Sequence, residues 1–125
     1  MTEFREFVLP SGTKIFLGKN AENNDKLVKK YKGKENTILH TEKPGSPFCV
    51  IDKIDYSKED LIKSAIICAL KSQDWRDNKK DVNIHQFSGK DVYKEGRMKE
   101  GLWGIKKKPK LIKVKKQDIE KEINK

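Results

Sequence analysis

Cysteine is nearly absent from this 125-residue chain: Cys49 and Cys68 each stand among apolar neighbours and form no ligand spacing. That excludes a disulfide-stapled extracellular scaffold and points to reduced, buried thiols in a cytoplasmic protein. Long apolar runs are missing too, and none approaches the roughly 20 residues of a membrane-spanning helix, so no membrane partner is expected. The opening Met-Thr-Glu-Phe-Arg-Glu carries no secretory or transit pattern. Arginine is scarce, with Arg5, Arg76 and Arg97 alone among 29 basic residues. The guanidinium fork suits bidentate reading of guanine edges, whereas lysine is a mobile point charge suited to phosphate. A nucleic-acid partner is therefore expected to be met through its backbone and shape.

Catalytic constellations are equally lacking. Gly12 and Gly18-Lys19 are one residue too far apart for a phosphate-cradling Walker loop, and Asn20 stands where Ser or Thr would bind magnesium. His40, Cys49, Cys68 and His85 match no paired zinc-ligand interval, and no acid pair or Cys–His pair declares itself. The chain is expected to be a binding protein, with no enzymatic activity, cofactor or metal.

What is present is charge. The 29 Lys plus Arg against 19 Asp plus Glu give a formal net charge of +10, enough to favour a polyanion, although the same excess also serves solubility. One domain with a modest core is expected from the length and the 34% apolar content.

Residues 3–9 and 13–17 read as a hairpin around Pro10-Ser11-Gly12. A short helix is predicted from Ala21 or Asn24 to Tyr31, stopping near Gly33. Residues 36–41 and 48–51 read as strands joined by Pro44-Gly45-Ser46-Pro47, a rigid turn whose amides suit an anion if they converge. Ser57 with Asp60 forms a capping box ahead of the principal helix, Lys58 to about Gln73, which is apolar over more than a narrow stripe. Lys71 to Lys80 is read as a loop or frayed end, in which Trp75 either stacks on a base or covers the helix end, the structural role being favoured. Residues 81–87 alternate as a strand, Val92-Tyr93 adds a short one, and 102–105 with 111–114 read as a closing pair around Lys106 to Lys110. The division expected is a domain over residues 1–116 and a short charged tail or helix over 117–125. The fold class is α+β, a mixed or mainly antiparallel sheet packed against one principal helix.

Lys106, Lys107, Lys108, Lys110, Lys113, Lys115 and Lys116, with Lys90, Lys94, Arg97 and Lys99 just upstream, are candidates for a phosphate-binding stripe, and Arg76 is a further RNA-binding candidate. A solvated, lysine-rich sheet edge that resists association is the alternative.

The ordered set Leu9-Pro10-Ser11-Gly12, Gly18-Lys19-Asn20, Glu22-Asn23 with Asp25 and Leu27, His40, Pro44-Gly45-Ser46, the helix through Ala65 and Ala69 to Ser72, and Val92-Tyr93-Lys94 with Gly101 resembles the NFACT-R domain. That is the RNA-binding domain of NFACT proteins in ribosome-associated quality control, and it also occurs as a small stand-alone protein. The resemblance spans about residues 4 to 115. It implies an α+β domain contacting RNA in a tRNA or ribosome setting. It also implies a polar patch of Lys19, Asn20, Asn23 and Asp25, a second of His40, Gly45 and Ser46, and Lys94 as a phosphate-facing cation, with Asp25 orienting neighbours rather than touching phosphate. The sequence departs from the family at 36–40, where an acid and an aromatic are common before the histidine, and at Pro47, where histidine is common. The chain has no room for the other domains of larger members, so a stand-alone RNA-binding module is the expectation, with a protein-interaction adaptor for an acidic or ribosomal protein as the alternative.

Overall fold

The structure, a computed structural model, describes residues 3–125; Met1 and Thr2, the start of the segment read as no leader, lie outside the described residues. Strands β1 (Arg5–Val8) and β2 (Lys14–Leu17) form the expected hairpin, with Gly12 at φ +93° in the turn. Asn20 caps α1 (Ala21–Tyr31) by accepting from the Asn23 N–H at 2.9 Å, which settles where that helix starts. Strands β3 (Thr37–Thr41) and β4 (Cys49–Ile51) pair antiparallel. Helix α2 (Lys58–Leu70) begins at the Ser57–Asp60 capping box, and β5 (Val82–Ser88) returns beside β3.

With β8 (Lys110–Val114) at its far edge, the six-stranded sheet has the order β1-β2-β4-β3-β5-β8, and every neighbouring pair is antiparallel. Because β4 lies between β2 and β3, those two run parallel, and α1 is the crossover joining them. Because β3 lies between β4 and β5, those also run parallel, joined through α2. Both crossovers step the same way across the sheet, but from strands of opposite direction. One shared hand of connection then requires α1 and α2 to lie on opposite faces. The core obeys this: Leu27, Val28 and Tyr31 pack with Ile38, Phe48, Val50 and Phe87, while Ala65, Cys68 and Ala69 pack with Ile15, Leu17, Leu39, Ile51 and Ile84. The fold is the expected α+β class with a mainly antiparallel sheet, and it has helices on both faces.

Two local expectations are corrected. Lys71 to Lys80 holds a second helix, α3 (Gln73–Asn78), because Ser72 accepts from the Trp75 N–H at 3.1 Å and donates back to the Ala69 carbonyl at 2.6 Å. Trp75 is buried in the core, the structural role favoured from sequence. Residues 102–105 do not pair with 111–114. Instead β7 (Gly104–Ile105) pairs with β6 (Val92–Tyr93), while β8 (Lys110–Val114) pairs with β5. The Tyr93 ring lies so close over Gly104 that a β-carbon there would stand 2.2 Å from it, so glycine selects this partner. The Lys106 N–H extends the ladder to the Asp91 carbonyl at 2.7 Å. Residues 116–123 form α4 (Lys116–Ile123), whose Ile119 is fully buried in the core cluster of α2. Among the described residues no helix is long and apolar enough to cross a membrane.

Candidate functional site

The parallel strands β2 and β3 place their carboxyl ends on one edge, and the amino end of α1 opens there. The chain leaves β2 through Gly18, Lys19 and Asn20, leaves β3 through the 42–47 loop, and is met by the α2–α3 junction. These segments enclose a cleft of about 370 Å³ whose lining includes Arg5, Lys19, Lys71, Arg76 and His40, with Glu100 the one acid. Crevices at the carboxyl ends of parallel strands are where crossover sheets commonly hold ligands. Helix amides, partial positive charge and converging cations make this one suited to an anion.

Six residues singled out from sequence line this cleft: Lys19, Asn20, His40, Gly45, Ser46 and Arg76. Gly45 takes φ +92°, and its carbonyl accepts from the Gln73 N–H at 3.0 Å, tying the turn to α3. A β-carbon on Gly45 would approach the Gln73 Oε1 to 2.6 Å. The buried Ser46 hydroxyl accepts from the Thr41 N–H at 3.2 Å and donates to the Pro47 carbonyl, so it braces the loop. His40 donates from Nδ1 to the Thr41 carbonyl at 2.8 Å and lies 4.4 Å from the Phe48 ring. Burial pushes its pKa down, backbone hydrogen bonds at Thr41 and Ser46 oppose this, and His85 adds to the lowering. The net direction is downward, which keeps the ring neutral at pH 7 and leaves it a hydrogen-bonding group rather than a cation.

Asn23 does not line the cleft. Its Oδ1 accepts from the Lys19 N–H at 2.9 Å and its Nδ2 donates to the Glu3 carbonyl. Asp25 gathers the 94–103 loop with one oxygen, accepting from Lys94 Nζ at 2.8 Å, the Gly101 N–H at 2.8 Å and Trp103 Nε1 at 3.0 Å. Burial works to raise its pKa, but the hydrogen bonds from Lys94, Gly101 and Trp103 and the Lys94 charge hold it below the usual carboxylate value. Lys94, expected to face phosphate, is instead held by this carboxylate and lies over the Trp103 ring at 5.1 Å. Its ammonium also donates to the Lys99 carbonyl at 3.1 Å, in the loop whose Gly101 and Leu102 line the cleft.

Replacing Asp25 by Asn keeps an acceptor and removes the charge facing Lys94. Amide exchange at Gly101 should accelerate while protection in the main sheet stays as it was. Unaltered exchange at Gly101 would show that another contact holds the loop.

The remaining cations do not join the cleft. Lys90 pairs with Glu35 at 2.7 Å, and Arg97 and Lys106 are exposed on their loops. Lys107, Lys108 and Lys110 line a second hollow of about 250 Å³ with Thr37 and Ser88, at the opposite end of β3 from His40. Of the basic candidates, Lys19 and Arg76 line the cleft, Lys107, Lys108 and Lys110 line the far hollow, and the others line neither. Arg5, Asn24, Lys71 and Leu102 were not singled out from sequence but line the cleft. The Asn24 side-chain oxygen accepts from the Phe48 N–H at 3.0 Å. Arg5 alone carried a signal, being a rare arginine on a predicted strand.

A crossover sheet with a cation-lined cleft at the start of its first helix has the chemistry of an anion-binding α+β domain. The chain belongs to the family described as NFACT protein RNA binding domain, which matches residues 3–107. It is also similar to the solved C-terminal part of the fibronectin/fibrinogen-binding protein FBPS from Streptococcus suis, with 23% identity and a TM-score of 0.81. That likeness covers 97% of this chain and 49% of the other, so this chain spans about half the length of the solved one. At that identity the likeness establishes the fold. No curated protein matches the chain.

Proposed function

We propose that this protein is a non-catalytic module that binds structured RNA, such as tRNA or rRNA, by seating backbone phosphates in the cleft at the amino end of α1. The observation that carries this is the convergence of Arg5, Lys19, Lys71 and Arg76, from three separated stretches of chain, on one hollow in a member of an RNA-binding family. Phosphate and 2′-OH contacts would supply the affinity, and His40 and Asn20 would supply neutral hydrogen-bonding groups. Lys107, Lys108 and Lys110 would widen the electrostatic footprint from the far end of β3, with Arg97 and Lys106 as outlying cations. Residues 1–116 would act as the binding unit, with 117–125 as a short charged C-terminal helix packed on it through Ile119. The setting would be cytoplasmic translation or ribosome quality control, in association with the ribosome.

The test is binding of the purified chain to tRNA, duplex RNA, single-stranded RNA and duplex DNA over a salt series. RNA preference that persists near physiological salt is the expected result. Equal, weak binding to every polyanion that vanishes with modest salt would reduce the +10 to bulk electrostatics. A second reading, an adaptor docking an acidic or ribosomal protein on the same basic face, is favoured by the fibronectin/fibrinogen-binding description of the S. suis neighbour. Failure to prefer RNA would move it to first place.

A further inference from the structure

The face of the sheet that carries α1 is not wholly covered by it. Antiparallel register sets His40 opposite His85 and His85 opposite Leu111, so three side chains from β3, β5 and β8 form one row across that face. Residues directly opposite in register project to the same side. That side is α1's, because Ile38 and Phe87, two residues from His40 and His85 along their strands, pack with Leu27 and Val28. The row becomes more open away from the helix. His40 lines the cleft with Phe48 beside it, the His85 side chain is 28% exposed, and Leu111 is 56% exposed. The next pair along, Asn83 and Lys113, puts a lysine beside the row. Lys113 Nζ stands 3.8 Å from Asp81, and His85 Nε2 stands 3.6 Å from Glu42.

We infer that the His40–His85–Leu111 row is a base-stacking platform for an unpaired stretch of RNA whose phosphate is seated in the adjoining cleft. This rests on the RNA-binding reading above and adds the form of RNA that is bound. Two observations select this occupant. The row is continuous with the cationic cleft, since His40 belongs to both, so a strand anchored there can reach the sheet without another contact. The row also offers partly open ring and aliphatic surface, from His85 and Leu111, of the kind on which bases stack. In an A-form duplex the bases are stacked within the helix and only groove edges are on show, whereas bases of loops and ends splay out and stack on protein side chains. Such stacking tolerates any base, which agrees with a surface poor in arginine.

The experiment measures the affinity of the full chain for a short single-stranded RNA, an abasic ribose-phosphate strand of equal length and an RNA duplex. The same measurements follow for a variant carrying His85→Ala with Leu111→Ser, two changes outside the buried core. The parent should bind the base-bearing strand about tenfold or more tightly than the abasic one, and the variant should lose that advantage. Duplex affinity and the salt slope should not move, because no phosphate contact is removed. Equal affinity of the parent for abasic and base-bearing strands overturns the platform whether or not the variant folds. So does a folded variant with undiminished single-strand binding, or one that weakens duplex binding equally. Failure of the cleft reading has a separate signature: a variant with Arg5, Lys71 and Arg76 neutralised binds every RNA as the parent does.

Discussion

Changing Arg5, Lys71 and Arg76 together to Gln should weaken RNA binding about a hundredfold near physiological salt and lower the magnitude of the salt slope by about 2 to 3, at 0.7 to 0.9 per phosphate contact. These residues come from β1, the α2–α3 junction and α3, and they meet only at the cleft. Arg5 and Arg76 are exposed and Lys71 is partly so, which lets the charges be removed without opening the core. Lys71 Nζ does lie 5.9 Å from the Phe7 ring, so a small loss of packing is expected there. The matched variant, Lys107, Lys108 and Lys110 to Gln, should produce a smaller loss. Those lysines line the smaller hollow at the other end of β3, away from the start of α1. Titrations of both triples over the same salt range decide between the ends of the sheet. A larger loss from the lysine triple would place the primary anion contact at the far hollow and refute the cleft.

The largest effect on stability should come from Asp60. Its buried carboxylate accepts from the Ser11 hydroxyl at 2.6 Å and the Thr13 hydroxyl at 2.9 Å, and it closes the capping box with the Ser57 N–H at 3.4 Å. One side chain therefore joins the β1–β2 turn to the start of α2, 49 residues away from Ser11. Asp60→Ala strands the buried Thr13 hydroxyl and undoes half of the cap. A loss of about 3 to 5 kcal/mol is expected from charged hydrogen bonds and an unsatisfied buried group, a large part of the roughly 5–15 kcal/mol typical of a domain. Asp60→Asn keeps an acceptor and should cost less. The hydrogen bond from Ser11 is the foremost cause holding the Asp60 pKa below its ordinary value; burial opposes it, and Thr13 and Ser57 add to the lowering. A depressed carboxyl contributes stability that is complete above its unfolded pKa, near 4, and is lost as pH falls through the folded one. Urea melts of parent and Asp60→Ala should thus differ most at neutral pH and converge in acid. A constant difference down to the lowest pH, or a loss under about 1 kcal/mol at neutrality, would show that the network contributes little.

Much of the fold was legible in the chain because its signals are local. Ser57 announces a helix start through a side chain that caps its own first turn, and Gly12 and Pro44-Gly45 mark turns by backbone preference, whereas the start of α1 was left between Ala21 and Asn24 until the Asn20 cap was seen. The α3 helix escaped because one apolar residue, Trp75, gives no period over six residues, and its stability comes from the Ser72 cap and burial in the core. The β8 pairing escaped because residues 102–105 and 111–114 are equally strand-like. The choice of partner depends on Gly104 receiving the Tyr93 ring, a contact no short window contains.

The site divided along the same line. Residue types in order were enough to place Lys19, Asn20, His40, Gly45, Ser46 and Arg76 among the candidates and to indicate the family. Which cations line the cleft was decided by tertiary structure alone. Lys94 and Lys90 are as positive in sequence as Arg76, but Arg76 lines the cleft while Asp25 and Glu35 hold the other two elsewhere. Arg5 and Lys71 gained their place at the cleft from distant elements. Local backbone preference and side-chain chemistry act over a few residues and survive being read in one dimension. The direction of a charge, and the company it keeps, follow from two crossovers placing α1 and α2 on opposite faces of one sheet.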